Sequence, residues 1–347
     1  MTSDIDLGGP RKPTTRTREG GARSHTKSRN RANFIQRWAL LGVWVVLIIV
    51  FSVIEPNTFL SMQNFQSLLG SQAILLLLTL GLMVPLTTGD FDLSIGSVLS
   101  LSAMVVAVLN AQHHWPVGLA VLVGIAIGLV VGLVNATLTV ALRIDSLIAT
   151  LGMGTVAAGI TLWVSDSQTI SGVSDALINA VVGFRLFGIP IEFYYGLIVC
   201  VALWYVFDHT SLGRRMLFTG RGRKVARLSG VNVSRIRFGA LVTSGVLASV
   251  SGLLYAGTSG AANPGAGEPL LLPAFAAVFL GSTAISSGRF NPWGTFIAVY
   301  FLSSGITGLQ LLGVSSFVQN LFYGGALIIA VVFAQLARRR HARNDED

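Results

Sequence analysis

The chain is short of charge. Of its 347 residues, 11% are charged and 52% are hydrophobic, whereas a soluble domain carries about 25% charged residues. A chain of this composition cannot cover a water-facing surface, so most of its solvent must be lipid. The single cysteine, Cys200, lies in an apolar run, which excludes a disulfide framework and a thiolate metal site.

Residues that carry catalytic chemistry are also scarce. Lysine occurs only at positions 12, 27 and 224, never in the G-x-x-x-x-G-K-[ST] pattern of a P-loop. None of the five histidines lies in an apolar run, and the neighbours His113 and His114 have no carboxylate beside them for a metal. We therefore expect no catalytic residue, cofactor or metal in this chain, and a separate subunit would hold any ATP and magnesium.

Carboxylates are missing from the middle of the apolar runs. The acidic residues nearest to them, Asp90, Asp92, Asp145, Glu192 and Asp208, are all expected at or near the ends of runs. An ion-coupled carrier usually keeps an ionisable residue at mid-depth. This pattern counts against ion coupling, so energy would have to reach the chain from a partner.

What the chain does have is apolar runs long enough to cross about 30 Å of hydrocarbon. They predict an all-α, polytopic membrane protein with about ten transmembrane helices and both termini in the cytoplasm. A disordered basic tail (1–37) would precede the membrane domain (38–337), and a cytoplasmic tail (338–347) would follow it. Around Arg143 the pattern allows either a loop or one long bent helix with a re-entrant piece. The predicted spans are 38–54, 67–88, 93–110, 117–142, 144–164, 191–208, 237–257, 270–287, 293–311 and 316–337.

Positive charge is distributed unevenly across this topology. Of the 24 Lys and Arg residues, all except Arg185 fall on the cytoplasmic side, as the positive-inside rule requires. The net charge of +9 is therefore topological and does not indicate nucleic acid. Arg185 lies in the longest external loop, 165–190. We predict that it contacts an acidic patch on an extracytoplasmic protein, the alternative being a side chain that faces only solvent or lipid headgroups.

A polar segment interrupts the apolar pattern between the second and third predicted spans. Residues 87–97 read T-T-G-D-F-D-L-S-I-G-S. One interpretation is a turn with Asp92 as the N-cap of the following helix. The other is a polar break that lines a translocation path, which is tolerated where it faces protein or water.

A second polar segment is the internal loop 209–236. It can form a short helix between Arg223 and Leu228, ended by Ser229-Gly230. A basic loop of this kind could simply bind lipid headgroups. The apolar positions Ala226, Leu228 and Val231 instead favour a surface that docks on another protein.

Five motifs of the chain resemble the permease subunits of bacterial ATP-binding-cassette importers for monosaccharides, the ribose-type family. The resemblance covers residues 38–337, and the motifs occur in the order expected for that family. They are G-D-F-D-L-S-I-G-S (89–97), N-A-T-L (135–138), I-A-T-L-G-M (148–153), A-R-L-S-G-V-N-V (226–233) and L-P-A-F-A-A-V-F-L-G-S-T (272–283).

This resemblance implies a homodimer of permeases in the bacterial inner membrane, forming one pathway for a sugar or small polyol. Two cytoplasmic ATP-binding domains and an extracytoplasmic sugar-binding protein would complete the importer, with no nucleic acid involved. The alternative is a stand-alone facilitator or an ion-coupled carrier for a small polar solute. The sequence leaves the identity of the sugar open.

The resemblance also assigns roles to particular residues. The ATPase-coupling loop would comprise Arg221, Arg223, Lys224, Ala226, Arg227, Leu228, Ser229 and Gly230. The translocation pathway would be lined by Asp92, Ser94, Asn135, Thr150 and Asn291. One departure concerns residues 222–225, which read G-R-K-V where the family commonly has N-E-A-A. The family's Glu is thus replaced by cations, which would suit an ATPase with a more acidic groove.

Overall fold

The computed structural model describes the backbone of residues 22–285 and 288–344, and the side chains of 38–285, 288–315 and 317–332. This part of the chain is almost entirely helical. The helices are α1 (Ala22–Ile54), α2 (Pro56–Phe59), α3 (Met62–Ser71), α4 (Ala73–Thr88), α5 (Ile95–Ala107), α6 (Val117–Ala136), α7 (Ser146–Val164), α8 (Asp175–Ile178), α9 (Ile191–His209), α10 (Ser211–Arg221), α11 (Arg223–Leu228), α12 (Val233–Ser259), α13 (Glu268–Gly281), α14 (Pro292–Leu311) and α15 (Ser316–Asn344). Three π-helical turns follow α5, α6 and α8, at Val108–Gln112, Thr137–Ala141 and Asn179–Gly183.

The predicted all-α membrane fold is confirmed. Among the described residues, seven helices are long and apolar enough to span a membrane. Three shorter apolar helices, Trp38–Ile54, Glu268–Gly281 and Phe317–Val332, account for the remaining predicted spans. The placement of both termini in the cytoplasm stays a prediction.

The tails and the Arg143 region differ in detail from the expectations. Helix α1 begins at Ala22, inside the tail that was predicted to be disordered over 1–37, while residues 1–21 lie outside the described part. Helix α15 continues to Asn344, through most of the predicted tail 338–347. Arg143 lies in a short loop, with φ of 60°, between helical segments that end at Ala141 and resume at Ser146, so the bent-helix alternative is wrong.

Helix α12 forms the centre of the domain, between α4, α5 and α6. Close approach depends on small residues: a Cβ added to Gly128 of α6 would meet the carbonyl of Gly245 on α12, and the reverse also holds. Contacts of this kind let helix backbones pack tightly without bulky side chains. The charged end of α12 at Val233 lies beside α10 and α11, on a side of the domain that we call the basic face.

Short strands connect the loops on the opposite side. Strand β1 (Ile170–Ser171) pairs with β4 (Ala261–Ala262) and thereby joins the 165–190 loop to the segment that follows α12. A two-stranded hairpin of β2 (Arg185–Leu186) and β3 (Ile189–Pro190) carries Arg185.

Helix α13 is too short to cross the membrane by itself. Its 14 residues span about 21 Å at 1.5 Å per residue. The chain reaches its start by re-entering the domain: Gly267 lies against Gly96 of α5, and its backbone N–H donates to the buried Ser100 Oγ at 2.9 Å. Gly267, which precedes α13, is therefore buried, whereas Glu268 and Pro269 at the start of the helix are exposed.

Candidate functional site

The internal loop 209–236 folds into two helices that dock on the end of α4. On α10, Gly220 lies against the carbonyl of Thr87, and a Cβ at this position would overlap that oxygen. Backbone contact this close needs glycine. Helix α10 is thus packed directly against the end of α4.

Helix α11 is the short helix predicted between Arg223 and Leu228, and its two sides differ. Ala226 is fully buried against the domain, whereas Leu228 is 81% exposed and Val225 is 57% exposed. Positions three apart share one side of a helix, so Val225 and Leu228 form an outward apolar pair. Gly230, with φ of 81°, ends the helix in the left-handed conformation that glycine favours.

The charged residues of this loop fall into two groups. The side chains of Arg221, Lys224, Arg227 and Ser229 are exposed. Arg223 instead turns toward its own chain, where Nη2 donates to Asp90 Oδ1 at 2.8 Å and to the carbonyl of Gly89 at 2.6 Å. The cation that replaces the family's Glu therefore has an acidic partner within this chain.

Asp90 is the centre of an ion cluster. Its side chain is 1% exposed and also accepts two hydrogen bonds from Arg237, from Nε to Oδ2 at 2.7 Å and from Nη2 to Oδ1 at 2.6 Å. Paired bonds of this kind fix geometry as well as charge. Asp90 thus joins α11, through Arg223, to the start of α12, through Arg237.

Residues 90–93 form an irregular, extended break that runs along α7. The N–H of Phe91 donates to Ser146 Oγ at 3.0 Å, and the N–H of Leu93 donates to Thr150 Oγ1 at 2.9 Å. Two extended residues advance about 6.6 Å, which is close to the rise of four helical residues. The two donors on the break, two residues apart, therefore face two hydroxyls on α7 that are four residues apart. Side chains alternate along the break: Asp90 and Asp92 are buried, and Phe91 and Leu93 face a groove.

The extended break carries Asp92 into the domain. Asp92 is fully buried, and its Oδ1 accepts from the backbone N–H of Ser94 at 3.0 Å and from Ser94 Oγ at 2.6 Å. It does not cap α5, because the N-cap position is Ser94. Asn135 completes the group, with Nδ2 donating to Ser94 Oγ at 2.8 Å.

Two of the carboxylates that the sequence placed at the ends of apolar runs are buried in the structure. Asp92 has no ion-pair partner in the part of the chain that the structure describes, and Glu192 is 3% exposed with Thr258 Oγ1 donating to it at 2.7 Å. Both residues lie at the ends of apolar runs, as predicted: Asp92 precedes α5 and Glu192 is in the first turn of α9. Among the described residues, no hydrogen-bond partner is found for three buried atoms, Asp92 Oδ2, Asn135 Oδ1 and Ser244 Oγ.

The predicted pathway residues therefore occupy two places. Asp92, Ser94, Asn135 and Thr150 converge in one buried group, and none of them lines either of the two cavities described below. Asn291 lies apart, between α13 and α14, where its Oδ1 caps α14 by accepting from the N–H of Gly294 at 2.6 Å. Their contribution to a pathway stays a prediction.

Two cavities flank α13 in the described part of the chain. One is an apolar groove of about 540 Å³, lined by Phe91 and Leu93 of the break and by residues of α7, α13 and α15. The other is a cleft of about 450 Å³ with many polar side chains, among them Glu268, Gln310 and Gln319. The sequence analysis missed these three residues. They lie at the ends of separate apolar runs, and no motif connects them.

Arg185 lies exposed in the β2–β3 hairpin, as its predicted contact with an external partner requires. Phe187 at the hairpin turn is 89% exposed. The partner itself stays a prediction.

The fold and this site define a class of protein: a polytopic membrane protein whose basic face presents a short exposed helix, α11, tied by an ion cluster to a buried break. The sequence comparisons identify the family. Residues 64–331 match the family described as "Branched-chain amino acid transport system / permease component", and the chain belongs to it. It is accordingly a multi-pass protein of the cell membrane and a transporter component, and is not itself an enzyme.

Curated relatives cover nearly the full length. The chain is 37% identical to the ribose import permease protein RbsC of Bacillus subtilis over 84% of its own length and 90% of the relative. It is 28% identical to the D-allose transport system permease protein AlsC of Escherichia coli, over 92% and 98% of the two chains. The fructose import permease protein FrcC of Rhizobium meliloti is 28% identical, over 86% and 85%. No solved structure matches the chain.

Proposed function

We propose that the chain is the membrane-spanning permease subunit of an ATP-driven importer in the bacterial inner membrane. It translocates a monosaccharide or a related small polyol that an extracytoplasmic binding protein delivers. Relatives named for ribose, allose and fructose support the substrate class. These relatives are matched over most of their own length.

The observation that carries the proposal is the two-sided helix α11. Its outer side presents Leu228, and its inner end holds Asp90 through Arg223. An ATP-binding domain that grips the outer side can therefore move the break directly. When the cluster shifts, Phe91 and Leu93 shift with Asp90, because all three belong to one extended segment.

The coupling residues divide between the two surfaces of this device. Arg223 and Ala226 face the permease and keep α11 in register with α4 and α12. Leu228 and the exposed polar residues of the loop face the ATP-binding domain. The cations of the loop other than Arg223 are exposed and would suit an acidic groove on the ATP-binding domain.

The assembly we propose has two permease copies, two ATP-binding domains and one binding protein. Each chain presents one α11, which matches one ATP-binding domain per permease. The pathway would form between the two copies. Asp92, Ser94, Asn135 and Thr150 act on it by holding the break in place, and Asn291 fixes the turn that connects α13 to α14.

Co-purification with the ATP-binding subunit tests this proposal. Leu228→Asp places a charge on the outer side of α11 and is expected to abolish association. Phe187→Asp is the matched control, since it alters a residue of similar exposure on the opposite side of the domain. An intact complex with Leu228→Asp would refute the docking role. A stand-alone facilitator or an ion-coupled carrier, the remaining alternative, would copurify with no such subunit.

A further inference from the structure

The polar cleft lies on the side of the domain away from the basic face. Its walls are the start of α13, the second half of α14, the first turns of α15 and the junction of α3 with α4. Because α4 ends at the basic face, Gln72 at its other end places the cleft on the opposite half. Its volume of about 450 Å³ is in the usual range for a small-molecule site.

The side chains of the cleft are suited to a neutral, hydroxyl-rich ligand. Gln310 and Gln319 each offer an amide that both donates and accepts, and Glu268 adds an acceptor at the first turn of α13. Side chains of this kind can bind the hydroxyls of a polyol. No Lys, Arg or His lines the cleft, so the carboxylate of an amino acid would find no cation there.

One side of α13 connects the cleft with the apolar groove. Glu268, Leu272, Phe275 and Phe279 follow each other at spacings of four, three and four residues, which places them along one side of the helix. Glu268 lines the cleft, Phe275 and Phe279 line the groove, and Leu272 lines both. The two cavities therefore meet at Leu272.

The groove ends at the break described above. The rings of Phe91 and Phe275 lie 6.3 Å apart, centroid to centroid, with an interplanar angle of 23°. An apolar groove offers a polyol no hydrogen-bond partners and is unfavourable for it to enter. Phe91, which is next to the ion-paired Asp90, is placed to control that step.

We propose that this cleft is a subsite of the permease for a neutral polyhydroxy compound, contacted by Glu268, Gln310 and Gln319. The ligand leaves it along α13, past Leu272, when Phe91 moves away from Phe275. This inference rests on the proposed function for the direction of transport. It adds a selectivity site within the membrane, beside the one in the binding protein.

Thiol protection tests the subsite without relying on transport. The only native cysteine, Cys200, is fully buried, so Gln310→Cys or Gln319→Cys adds the reactive thiol. Labelling by a membrane-impermeant methanethiosulfonate is measured on the nucleotide-free complex in proteoliposomes. The probes are D-ribose, D-allose, D-fructose and L-leucine. The control is Gln112→Cys, an exposed glutamine that lines neither cavity.

At about ten times its Kd a ligand leaves roughly one site in ten open, so we expect one of the sugars to slow labelling about tenfold. L-leucine should have no effect, and Gln112→Cys should respond to none of the probes. If none of the sugars protects either cleft cysteine, or if L-leucine protects equally, the subsite is refuted. If the complex takes up sugar in an ATP-dependent manner but no sugar protects the cleft cysteines, the subsite is wrong and the proposed function stands. If a sugar protects the cysteines but uptake does not need ATP, the proposed function is wrong and the subsite stands.

Discussion

Replacing Arg223 by alanine separates movement of the coupling helix from movement of the break. In the structure Arg223 is the side chain of α11 that bonds to the 89–94 segment, through Asp90 Oδ1 at 2.8 Å and the carbonyl of Gly89 at 2.6 Å. Without it, the ATP-binding subunit can still dock on Leu228 and hydrolyse ATP. The break would follow α11 less closely, so less sugar should move for each ATP.

The size of the effect follows from exposure. Arg223 has a side chain that is 42% exposed, while its partner is 1% exposed. A solvent-screened pair contributes up to about 1 kcal/mol, and a loss of that size corresponds to roughly a fivefold change in an equilibrium. We therefore expect the ratio of sugar transported to ATP hydrolysed to fall about fivefold.

The neighbouring pair gives a useful contrast. Arg237 is 16% exposed and holds Asp90 with two bonds, so breaking this more buried pair costs about 3 kcal/mol. Arg237→Ala should lower the melting temperature of the complex, whereas Arg223→Ala should change coupling with little loss of stability.

The assay measures uptake and ATP hydrolysis together in proteoliposomes that contain the full complex. Arg214→Ala serves as the control, because it removes an exposed cation of α10 that makes no ion pair in the described part of the chain. Arg223→Lys, which keeps the charge, should recover part of the ratio. If Arg223→Ala transports as much sugar per ATP as Arg214→Ala, the proposed connection through Asp90 is wrong.

Three further predictions concern stability and delivery. Gly220→Ala should lower the melting temperature, since its Cβ meets the carbonyl of Thr87. Gly222→Ala should not, because its Cβ would make only ordinary contact with the Val225 side chain at 3.8 Å; equal melting temperatures would contradict tight docking of α10. Asp92→Ala should also lower the melting temperature, because the buried N–H and hydroxyl of Ser94 lose their acceptor. An unchanged melting temperature would show that the hydrogen bonds of Asp92 do not contribute to stability. Arg185→Glu should reduce uptake at limiting binding protein and not at saturating binding protein, and normal uptake at both would reject the contact.

The sequence was sufficient for the spans and for α11. Span length and apolar content are local properties, and the charges on either side of each span test the count independently. The short helix between Arg223 and Leu228 was predictable because Ser229-Gly230 is a local stop signal. The helical start of α1 was missed since basic, polar residues can extend a helix whose apolar part is already formed.

The buried features depend on contacts that sequence spacing does not show. Asp90 and Arg223 are 133 positions apart, and neither residue alone indicates the other. Asp92 lies just before α5, near the end of an apolar run as predicted, and its complete burial depends on packing between helices that this position does not reveal. The polar cleft brings together side chains between Gln72 and Tyr323, each of which resembles an ordinary end of an apolar run.

Uptake of a labelled sugar into proteoliposomes tests the central claim most directly. The complete complex, with its ATP-binding subunit and binding protein, is supplied with D-ribose, D-allose or D-fructose on the binding-protein side and ATP on the opposite side. We predict accumulation against the gradient that requires both ATP and the binding protein and is lost with Leu228→Asp. Equilibration without ATP, or accumulation driven by a sodium or proton gradient alone, would contradict the account.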